Sequence, residues 1–420
     1  MVYFQNIFSS EGTKSMTSSS SLAEKYVHLA LAIDQHQPGY IDSYFGPAEW
    51  KEQAAAQGKR SLDELVAEAA ALATSLVENG DLDPQRKDFL TRQVTAMQTS
   101  LHLLKGEKLS LVEETQGLYD ITPTWTEETV FDEAQCILNE LLPPGGTLQE
   151  RMALRRKRLE IPTEQARKVV PFIKDHLRNL TRARYPLPAE EDFEVQYVNN
   201  QPWGAYNWYL GNCRSRVEIN TDLPLHIHSL PGLLAHEAYP GHHTELANKE
   251  KSLLQQAGYV ENCLTLINTP SCVVSEGLAD RALEVVMNDN EQADWNAREL
   301  FPRAGFAHLD AWHEQAITQA LRKLVGVESN AAFLLHEQGA TVTEVREYMQ
   351  RFGLLTEEQA AKLVEFLSHP LYRAYIFTYH YGGELFDQLV AKKGNLSKWF
   401  TRLLTEPVTP QQIRLWIADC

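Results

Sequence analysis

Residues 236–243 read HEAYPGHH, which places three histidines and a glutamate around a Pro-Gly pair. In an unbroken α-helix six residues turn through about 600°, so His242 would face away from His236. Seven residues return His243 to the same side, but about 10 Å further along the helix axis. A continuous helix would therefore keep His236 apart from both later histidines.

Pro240 predicts a break in that helix. Proline has no N–H to donate to the carbonyl of His236, and it pushes the residue before it out of the α region. Gly241 can take backbone angles that other residues avoid. We expect a second helical segment to start near His242, and the kink to swing one of the two later histidines back towards His236. His242 is the favoured partner and His243 is the second choice.

The residue types in this stretch are those of a metal-dependent hydrolase. In the HExxH pattern two histidines bind zinc and the glutamate serves as general base. By that chemistry His236 and His242 would be ligands, and Glu237 would take a proton from the attacking water. Zn²⁺ is the expected ion, although Mn²⁺ or Co²⁺ would also accept two imidazoles and a carboxylate.

A third ligand is predicted from the segment SEGLADRALE at residues 275–284. Glu276 and Asp280 are four residues apart and share one face of a helix. Glu276 would ligate the metal, while Asp280 would accept the free N–H of a ligating histidine or serve as an alternative ligand. Gly277 allows a neighbouring helix to approach closely.

Groups that hold the substrate and stabilise an oxyanion are also required. The segment at 369–386 offers several for the oxyanion: Tyr372, Tyr375, Tyr379, His380 and Tyr381. Arg214, Arg216 and Arg373 are candidate substrate-binding residues, because arginine pairs with a carboxylate in bidentate fashion. For Arg214 and Arg216, a solvated strand edge is the favoured interpretation, and a clamp for a substrate carboxylate is the alternative.

Most of the chain follows a helical period, which predicts a mainly α fold. Three N-terminal capping boxes are expected, each with a threonine three residues before Glu or Gln. They are Thr124 with Glu127, Thr341 with Glu344, and Thr356 with Gln359. Gly353 stands where the residue after the second of these helices belongs.

One region interrupts the helical pattern just before the histidines. Three segments there are rich in β-branched and aromatic residues. They are FEVQYV (193–198), AYNWYL (205–210) and RSRVEIN (214–220). Gly211-Asn212 predicts a hairpin turn. We therefore expect a small antiparallel β-sheet beside the active site, with an open edge strand near 205–220 that would pair with a substrate backbone.

No Gly/Pro-rich linker divides the chain, so a single catalytic domain is predicted for residues 23–420. The Ser-rich residues 1–22 are expected to form a flexible tail. Within the domain we expect a helical lobe over about 23–190, the sheet and metal-site segment over about 191–290, and a C-terminal helical part over about 291–420.

Charge and composition exclude some partners. The 420 residues hold 39 Lys+Arg against 56 Asp+Glu, a formal charge of −17. Nucleic acid and anionic membrane surfaces both require a basic face, so neither is expected as a partner. The five cysteines are odd in number and lack CxxC spacing, which indicates free thiols in a reducing compartment. With no signal peptide or membrane span recognised, the expected location is the cytoplasm.

These motifs resemble those of a large bacterial family of unassigned function, grouped with the gluzincin zinc metallopeptidases of peptidase clan MA. The family carries an HExxPGH motif followed by an SEGLA-type glutamate. Similar flanking pieces are IDSYFGPAEW (41–50), NWYLGNCRSRVEINTDLP (207–224) and RAYIFTYHYGGELF (373–386). The resemblance implies a helical zinc-peptidase-like fold with a small sheet, similar in layout to the helical carboxypeptidases and oligopeptidases of that clan.

The resemblance also implies roles for individual residues. By motif, the ligands and the base would be His236, His242, Glu276 and Glu237. Tyr379 takes the place of a late tyrosine in the family's Y-x-x-G element and would act in the transition state. More typical members have a Gly-Gln pair upstream of it, where this chain has Ala374 and Tyr375.

Three functions fit these observations. The first is a zinc-dependent metallopeptidase that cleaves short peptides. The second keeps the metal but hydrolyses an amide or ester bond of a small metabolite. The third is a non-catalytic helical interaction protein with a relic site. A substrate panel separates the first two, and metal analysis with a Glu237→Gln variant separates both from the third.

Overall fold

The computed structural model describes residues 18–201 and 203–419. Helices dominate, so the predicted mainly α fold is confirmed. The helices before residue 190 are α1 Ser18–Asp34, α2 Ala48–Gln57, α3 Leu62–Glu78, α4 Pro84–Leu104, α5 Leu111–Tyr119, α6 Glu128–Leu141, α7 Leu148–Leu159 and α8 Thr163–Arg184. The predicted tail falls largely outside the described residues, but α1 already begins at Ser18.

The helices after residue 229 are short around the candidate site and longer towards the C-terminus. They are α9 Leu230–Glu237, α10 His242–Lys249, α11 Pro270–Asp280, α12 Ala282–Val286, α13 Asp289–Trp295, α14 Phe301–Arg303, α15 Ala311–Arg322, α16 Gly326–His336, α17 Val342–Gly353, α18 Glu357–Ser368, α19 Ile376–Lys393, α20 Leu396–Thr405 and α21 Pro410–Ala418. Two π-helical segments, Glu250–Gln256 and Asn296–Leu300, and a 3₁₀ segment, Val260–Cys263, extend or connect these helices.

Within the described part of the chain, seven short strands form three sheets. They are β1 Ile41–Tyr44, β2 Glu160–Ile161, β3 Asp192–Val198, β4 Ala205–Gly211, β5 Arg214–Asn220, β6 Leu225–His226 and β7 Leu264–Leu266. Strands β1 and β7 pair antiparallel, as do β2 and β6. The third sheet has the order β3-β5-β4, so β4 is an edge strand.

The three-stranded sheet lies where the sequence predicts it. Strands β4 and β5 form the expected antiparallel hairpin, with Asn212 at a φ of 56° in its turn. Strand β3 runs parallel to β5, with Phe193 opposite Ser215, which differs from the all-antiparallel expectation. The alternation of side chains reports which face is buried and carries no information on strand direction.

The predicted helix boundaries hold at two of the three capping boxes. Both boxes that begin at Thr341 and Thr356 are formed, with reciprocal side-chain and backbone bonds. Thr124 does not cap α6, because its N–H donates to the Tyr381 hydroxyl at 2.6 Å and Glu127 takes the N-cap position. Leu354, at a φ of 56°, is the left-handed residue after α17, in place of the predicted Gly353.

Among the described residues there are two large hydrophobic cores, and Tyr209, Cys213 and Ala247 form a small separate cluster. The smaller of the two large cores combines apolar residues of α1, α3 and α4 with Leu254, Leu264 and Leu266 from the far side of the histidine stretch. The larger extends from α5 to α21 and includes the inner faces of α9, α11 and α19. The chain therefore passes from the larger core to the smaller one and back around the candidate site.

Helices α11 and α19 cross at a pair of glycines. A Cβ on Gly277 would lie 2.3 Å from the Gly382 carbonyl, and one on Gly382 would lie 2.2 Å from the Val273 carbonyl oxygen. These contacts are too short for any side chain, so the close helix approach predicted at Gly277 is confirmed. The crossing fixes α11, which carries Glu276, against α19, which carries Tyr379.

We expect Gly382→Ala to lower the free energy of unfolding by about 3 kcal/mol, because the added methyl group meets backbone that cannot turn away. Urea denaturation measures the change. Gly232→Ala is the matched control, since a Cβ there has open space and alanine favours the helix by about 0.5–1 kcal/mol. Equal stabilities for the two variants would contradict the tight crossing.

Candidate metal centre

The HEAYPGHH stretch breaks where its proline predicts. Helix α9 ends at Glu237, the Tyr239-Pro240 peptide is cis, and α10 begins at His242. The Gly241 N–H donates to the Ala235 carbonyl at 2.8 Å, and a Cβ on Gly241 would lie 1.9 Å from the His236 carbonyl oxygen. Glycine is therefore required where α10 turns back against α9.

The kink brings His242 to His236 and Glu276. The two imidazole rings meet edge to face with centroids 4.7 Å apart. Glu276 Oε2 lies 3.4 Å from His236 Nε2 and 3.6 Å from His242 Nε2. One potential ligand atom from each of these residues lies within 4.8 Å of the other two, and the three residues are called the ligand cluster below.

One carboxylate oxygen in the ligand cluster lacks a hydrogen-bond partner. Glu276 is 6% exposed, and its Oε2 accepts no hydrogen bond from any described residue. A buried carboxylate oxygen left in this state costs free energy. A divalent cation between Oε2 and the two Nε2 atoms would satisfy it, so the donor set fits a metal.

Both histidines of the ligand cluster are oriented through Nδ1. His236 Nδ1 lies 3.1 Å from Asp280 Oδ1, as predicted for the neighbouring acid. His242 Nδ1 lies 3.1 Å from Ser275 Oγ, whose single proton is donated to Glu245 at 2.5 Å. Ser275 must then accept from His242, which assigns the proton to Nδ1. This pattern leaves the Nε2 lone pairs of both rings facing the centre.

Tyr375 and Tyr379 approach the ligand cluster from the end of the chain. The Tyr375 hydroxyl donates to Glu276 Oε1 at 2.6 Å and so fixes the second oxygen of that carboxylate. Burial and the Glu276 charge raise the pKa of Tyr375, which keeps it a donor. The Tyr379 ring lies against His236, with centroids 6.5 Å apart. The tyrosine-rich segment is thus brought to the site, and Tyr375 gains a specific contact.

Glu237 lies beside the ligand cluster and is not part of it. The Asn207 side chain of β4 donates to the Glu237 backbone carbonyl at 2.6 Å, which ties the edge strand to the end of α9. The side chain is 7% exposed, and burial raises the pKa of its carboxyl group. A carboxylate with this environment is suited to take up a proton during a reaction.

His243, the second choice of ligand, belongs to a different network and is not brought into the ligand cluster. It is fully buried, with Nδ1 2.8 Å from Ser215 Oγ and Nε2 3.1 Å from Glu191 Oε2. Glu191 also accepts from the Tyr239 hydroxyl and from Arg178 Nε at 2.8 Å. Adjacent residues at the start of a helix point about 100° apart, which separates His243 from His242.

The three arginines predicted to bind substrate are not brought to the ligand cluster by the structure. Arg214, Arg216 and Arg373 are absent from the described walls of both cavities at the ligand cluster. Each is paired with a carboxylate of the protein: Asp192 at 3.4 Å, Glu218 at 3.1 Å and Glu114 at 3.0 Å, respectively. Arg214 is exposed, as expected for the solvated strand edge.

Two cavities meet at the candidate site. One of about 780 Å³, called the charged cavity, is bordered by α12, α13, α15 and α19. The other, of about 750 Å³, called the aromatic cavity, lies between the two hydrophobic cores. Both are lined by Ala205, His236, Glu237 and Tyr379. The ligand cluster therefore stands at their junction.

Sequence reasoning missed Asp42 and Tyr206 in the aromatic cavity. The Tyr206 hydroxyl and Thr265 Oγ1 both donate to the Asp42 carboxylate, the latter at 3.1 Å. No spacing signal links residues this far apart in the chain. They became neighbours because β1 pairs with β7 and packs beside β4.

Comparisons with known proteins show the fold but no family. No family model and no curated protein matches the chain. A solved structure described as "putative lipoprotein" from Colwellia psychrerythraea is 16% identical, covers 88% of this chain and 72% of that one, and has a TM-score of 0.54. A second, "putative lipoprotein of unknown function" from Shewanella oneidensis, is 13% identical over 97% and 89%, with a TM-score of 0.47. A third, described as BsuCP, is 11% identical over 93% and 89%, with a TM-score of 0.44.

These comparisons correct two expectations. The resemblance to the gluzincin-clan family is wrong as a family assignment, because no family model or curated protein of that clan matches and the solved structure that shares the fold is described as a putative lipoprotein. The predicted cytoplasmic location is also wrong, since that structure is described as a putative lipoprotein. Unpaired cysteines indicate reduced thiols, but they do not determine the compartment in which a protein is found. Within residues 18–201 and 203–419, no helix is long and apolar enough to cross a membrane.

Proposed function

We propose that the protein is a metal-dependent hydrolase that cleaves peptides. His236, His242 and Glu276 would hold one divalent cation, with Zn²⁺ the expected ion. The observation that carries the proposal is the unpaired, buried Glu276 Oε2 between two imidazole nitrogens whose tautomers are assigned by their other partners. If packing in the hydrophobic core were the only constraint, the two imidazoles and the carboxylate would not all point towards one place.

The residues around the ligand cluster supply the remaining chemistry. A divalent cation bound there would lower the pKa of water and polarise a carbonyl group. Glu237 takes the proton from the attacking water and returns it to the leaving amine. Tyr379, which borders both cavities, would donate to the oxygen that becomes negative.

The edge strand favours a peptide as the substrate. The Asn220 N–H donates to the Gly204 carbonyl at 2.9 Å, so by alternation Ala205 directs its own N–H and C=O away from β5. Ala205 lines both cavities. An extended peptide could add to this edge as a further strand, with its scissile bond beside Glu237.

The test is metal analysis followed by hydrolysis of a mixed peptide library. The full chain is stripped with a chelator, reloaded with Zn²⁺, and its metal content and products are measured. We expect about one ion per chain, and cleavage that chelation abolishes. Failure to bind stoichiometric zinc, manganese or cobalt would refute the metal site. Stoichiometric metal without hydrolysis of any peptide would refute the peptidase.

Ser275→Ala should weaken metal binding by about 10–100-fold, because His242 loses the acceptor that holds its Nδ1–H. Competition with a chromophoric chelator measures the dissociation constant. The matched control is Ser368→Ala, which removes a hydroxyl that bonds only to the Val364 carbonyl within its own helix. An unchanged metal affinity in Ser275→Ala would contradict the assigned tautomer.

A further inference from the structure

We infer that the substrate is a peptide that extends to both sides of the cleaved bond and places a bulky apolar side chain in the aromatic cavity. The inference rests on the proposed function and names the substrate class of the same site. It makes the protein an endopeptidase for oligopeptides, which requires no free peptide terminus.

The first argument is the position of the ligand cluster between two spaces. The charged and aromatic cavities have volumes of about 780 and 750 Å³, and each by itself falls within the roughly 300–1,000 Å³ of a ligand pocket. An enzyme that removes single terminal residues needs a wall shortly beyond one side of the cleaved bond. Here Glu237 and Ala205 have a ligand-sized cavity on either side.

The second argument is the chemistry of the aromatic cavity. Eight Phe, Trp and Tyr rings contribute to its described wall, among them Phe89, Trp203, Tyr206, Phe366, Tyr372 and Tyr375. The Tyr206 and Tyr375 hydroxyls already donate to Asp42 and Glu276. Phe366 and Tyr372 stack, with centroids 5.1 Å apart. What remains for a substrate is mainly ring surface, which suits a large apolar or aromatic side chain.

The third argument concerns the groups that could hold a peptide terminus. In the charged cavity Arg281 is bidentate to Asp387, with bonds of 2.9 and 2.6 Å, and Arg322 lies 3.0 Å from Glu284. Neither is free to bind a terminal carboxylate. Lys362 in the aromatic cavity has no ion pair among the described residues. Its ammonium group could bind a terminal carboxylate, so the experiment must include a variant of Lys362.

The reaction on such a substrate is a balanced hydrolysis. The oxygen of water forms a bond to the carbonyl carbon and the C–N bond breaks. Glu237 carries the proton of that water to the leaving nitrogen, which departs as an amine. The products are two shorter peptides, one with a new carboxylate and one with a new amine, and no further reactant is needed.

The experiment uses the zinc-loaded full chain and peptides of about eight residues, roughly 27 Å long when extended. One set is acetylated and amidated, a second has free ends, and each contains either Phe or Ala at a single central position. Mass spectrometry locates the cut. We expect internal cleavage next to Phe in both sets, with kcat/KM at least about tenfold above the Ala peptides, since burial of one large apolar side chain favours binding of the Phe peptide.

Other outcomes separate the inference from the proposed function. Stepwise loss of terminal residues from free-ended peptides alone would overturn the inference and leave the hydrolase intact. Dependence on a free carboxylate that Lys362→Met abolishes would do the same. Zinc-loaded protein that cleaves neither set would overturn both.

A cavity-filling variant tests the aromatic cavity directly. Phe366→Trp enlarges a ring of its wall and should lower kcat/KM for the Phe peptide about tenfold, with little effect on the Ala peptide. Metal content and the urea midpoint establish that the variant is folded and loaded. An equal loss for both peptides would show that the cavity does not select the side chain.

Discussion

Glu237→Gln is expected to lower kcat about a thousandfold while the protein still binds one metal ion. The amide keeps the size of the side chain and its place beside α9, but it cannot take a proton from water, and general base catalysis contributes about 10²–10⁴-fold. The ligand cluster does not include Glu237, so metal binding should persist. Steady-state hydrolysis of the best peptide, with metal analysis of the same sample, measures both quantities.

The control is Glu164→Gln, which makes the same change at a side chain that is 85% exposed. It should leave both kcat and metal content unaltered. A Glu237→Gln protein with full activity would show that another group takes the proton. A variant that loses its metal would instead place Glu237 among the ligands.

His242→Ala and His243→Ala change adjacent residues, but we expect the first variant to lose the metal and the second to lose stability. His242→Ala is expected to abolish stoichiometric metal and hydrolysis, because it removes one of three ligands. Its metal-free form should lose less unfolding free energy than metal-free His243→Ala, because His242 is 15% exposed whereas His243 is fully buried. His243→Ala should lose about 3 kcal/mol, because it leaves a cavity and removes a partner of the buried Glu191.

Equilibrium urea unfolding without metal, together with zinc titration, distinguishes the two variants. His102→Ala, at a half-exposed histidine, controls for the loss of an imidazole from the surface. Below its unfolding midpoint, His243→Ala should still bind one ion per chain. The reverse outcome, with metal lost in His243→Ala and kept in His242→Ala, would overturn the assigned ligand cluster.

The local part of the site was predictable from the sequence. Pro240 must interrupt the helix, and only that interruption lets residues six apart face one centre. Glu276 and Asp280 then share one helical face. The structure brings His236, His242, Glu276 and Asp280 together, because their positions follow from backbone geometry over a few residues and one close helix contact.

The predictions that the structure does not support concern contacts between residues distant in the chain. Arg373 pairs with Glu114, about 260 residues earlier, and no pattern in the sequence predicts that pair. The parallel direction of β3 and the return of Leu264 and Leu266 to the N-terminal core are likewise set by the overall topology. Short motifs fix local geometry, whereas a family is a property of the whole chain, and the resemblance drawn from the HExxPGH motif and its flanking pieces assigned the family wrongly.

The glycine crossing of α11 and α19 has a mechanical consequence. With backbone against backbone at Gly277 and Gly382, no layer of side chains can change rotamers between the two helices. Glu276 and Tyr379 must therefore move together as one rigid unit. Any widening of the cleft for a substrate has to come from the opposite wall of the aromatic cavity, where Tyr26 and Phe89 of the smaller core lie.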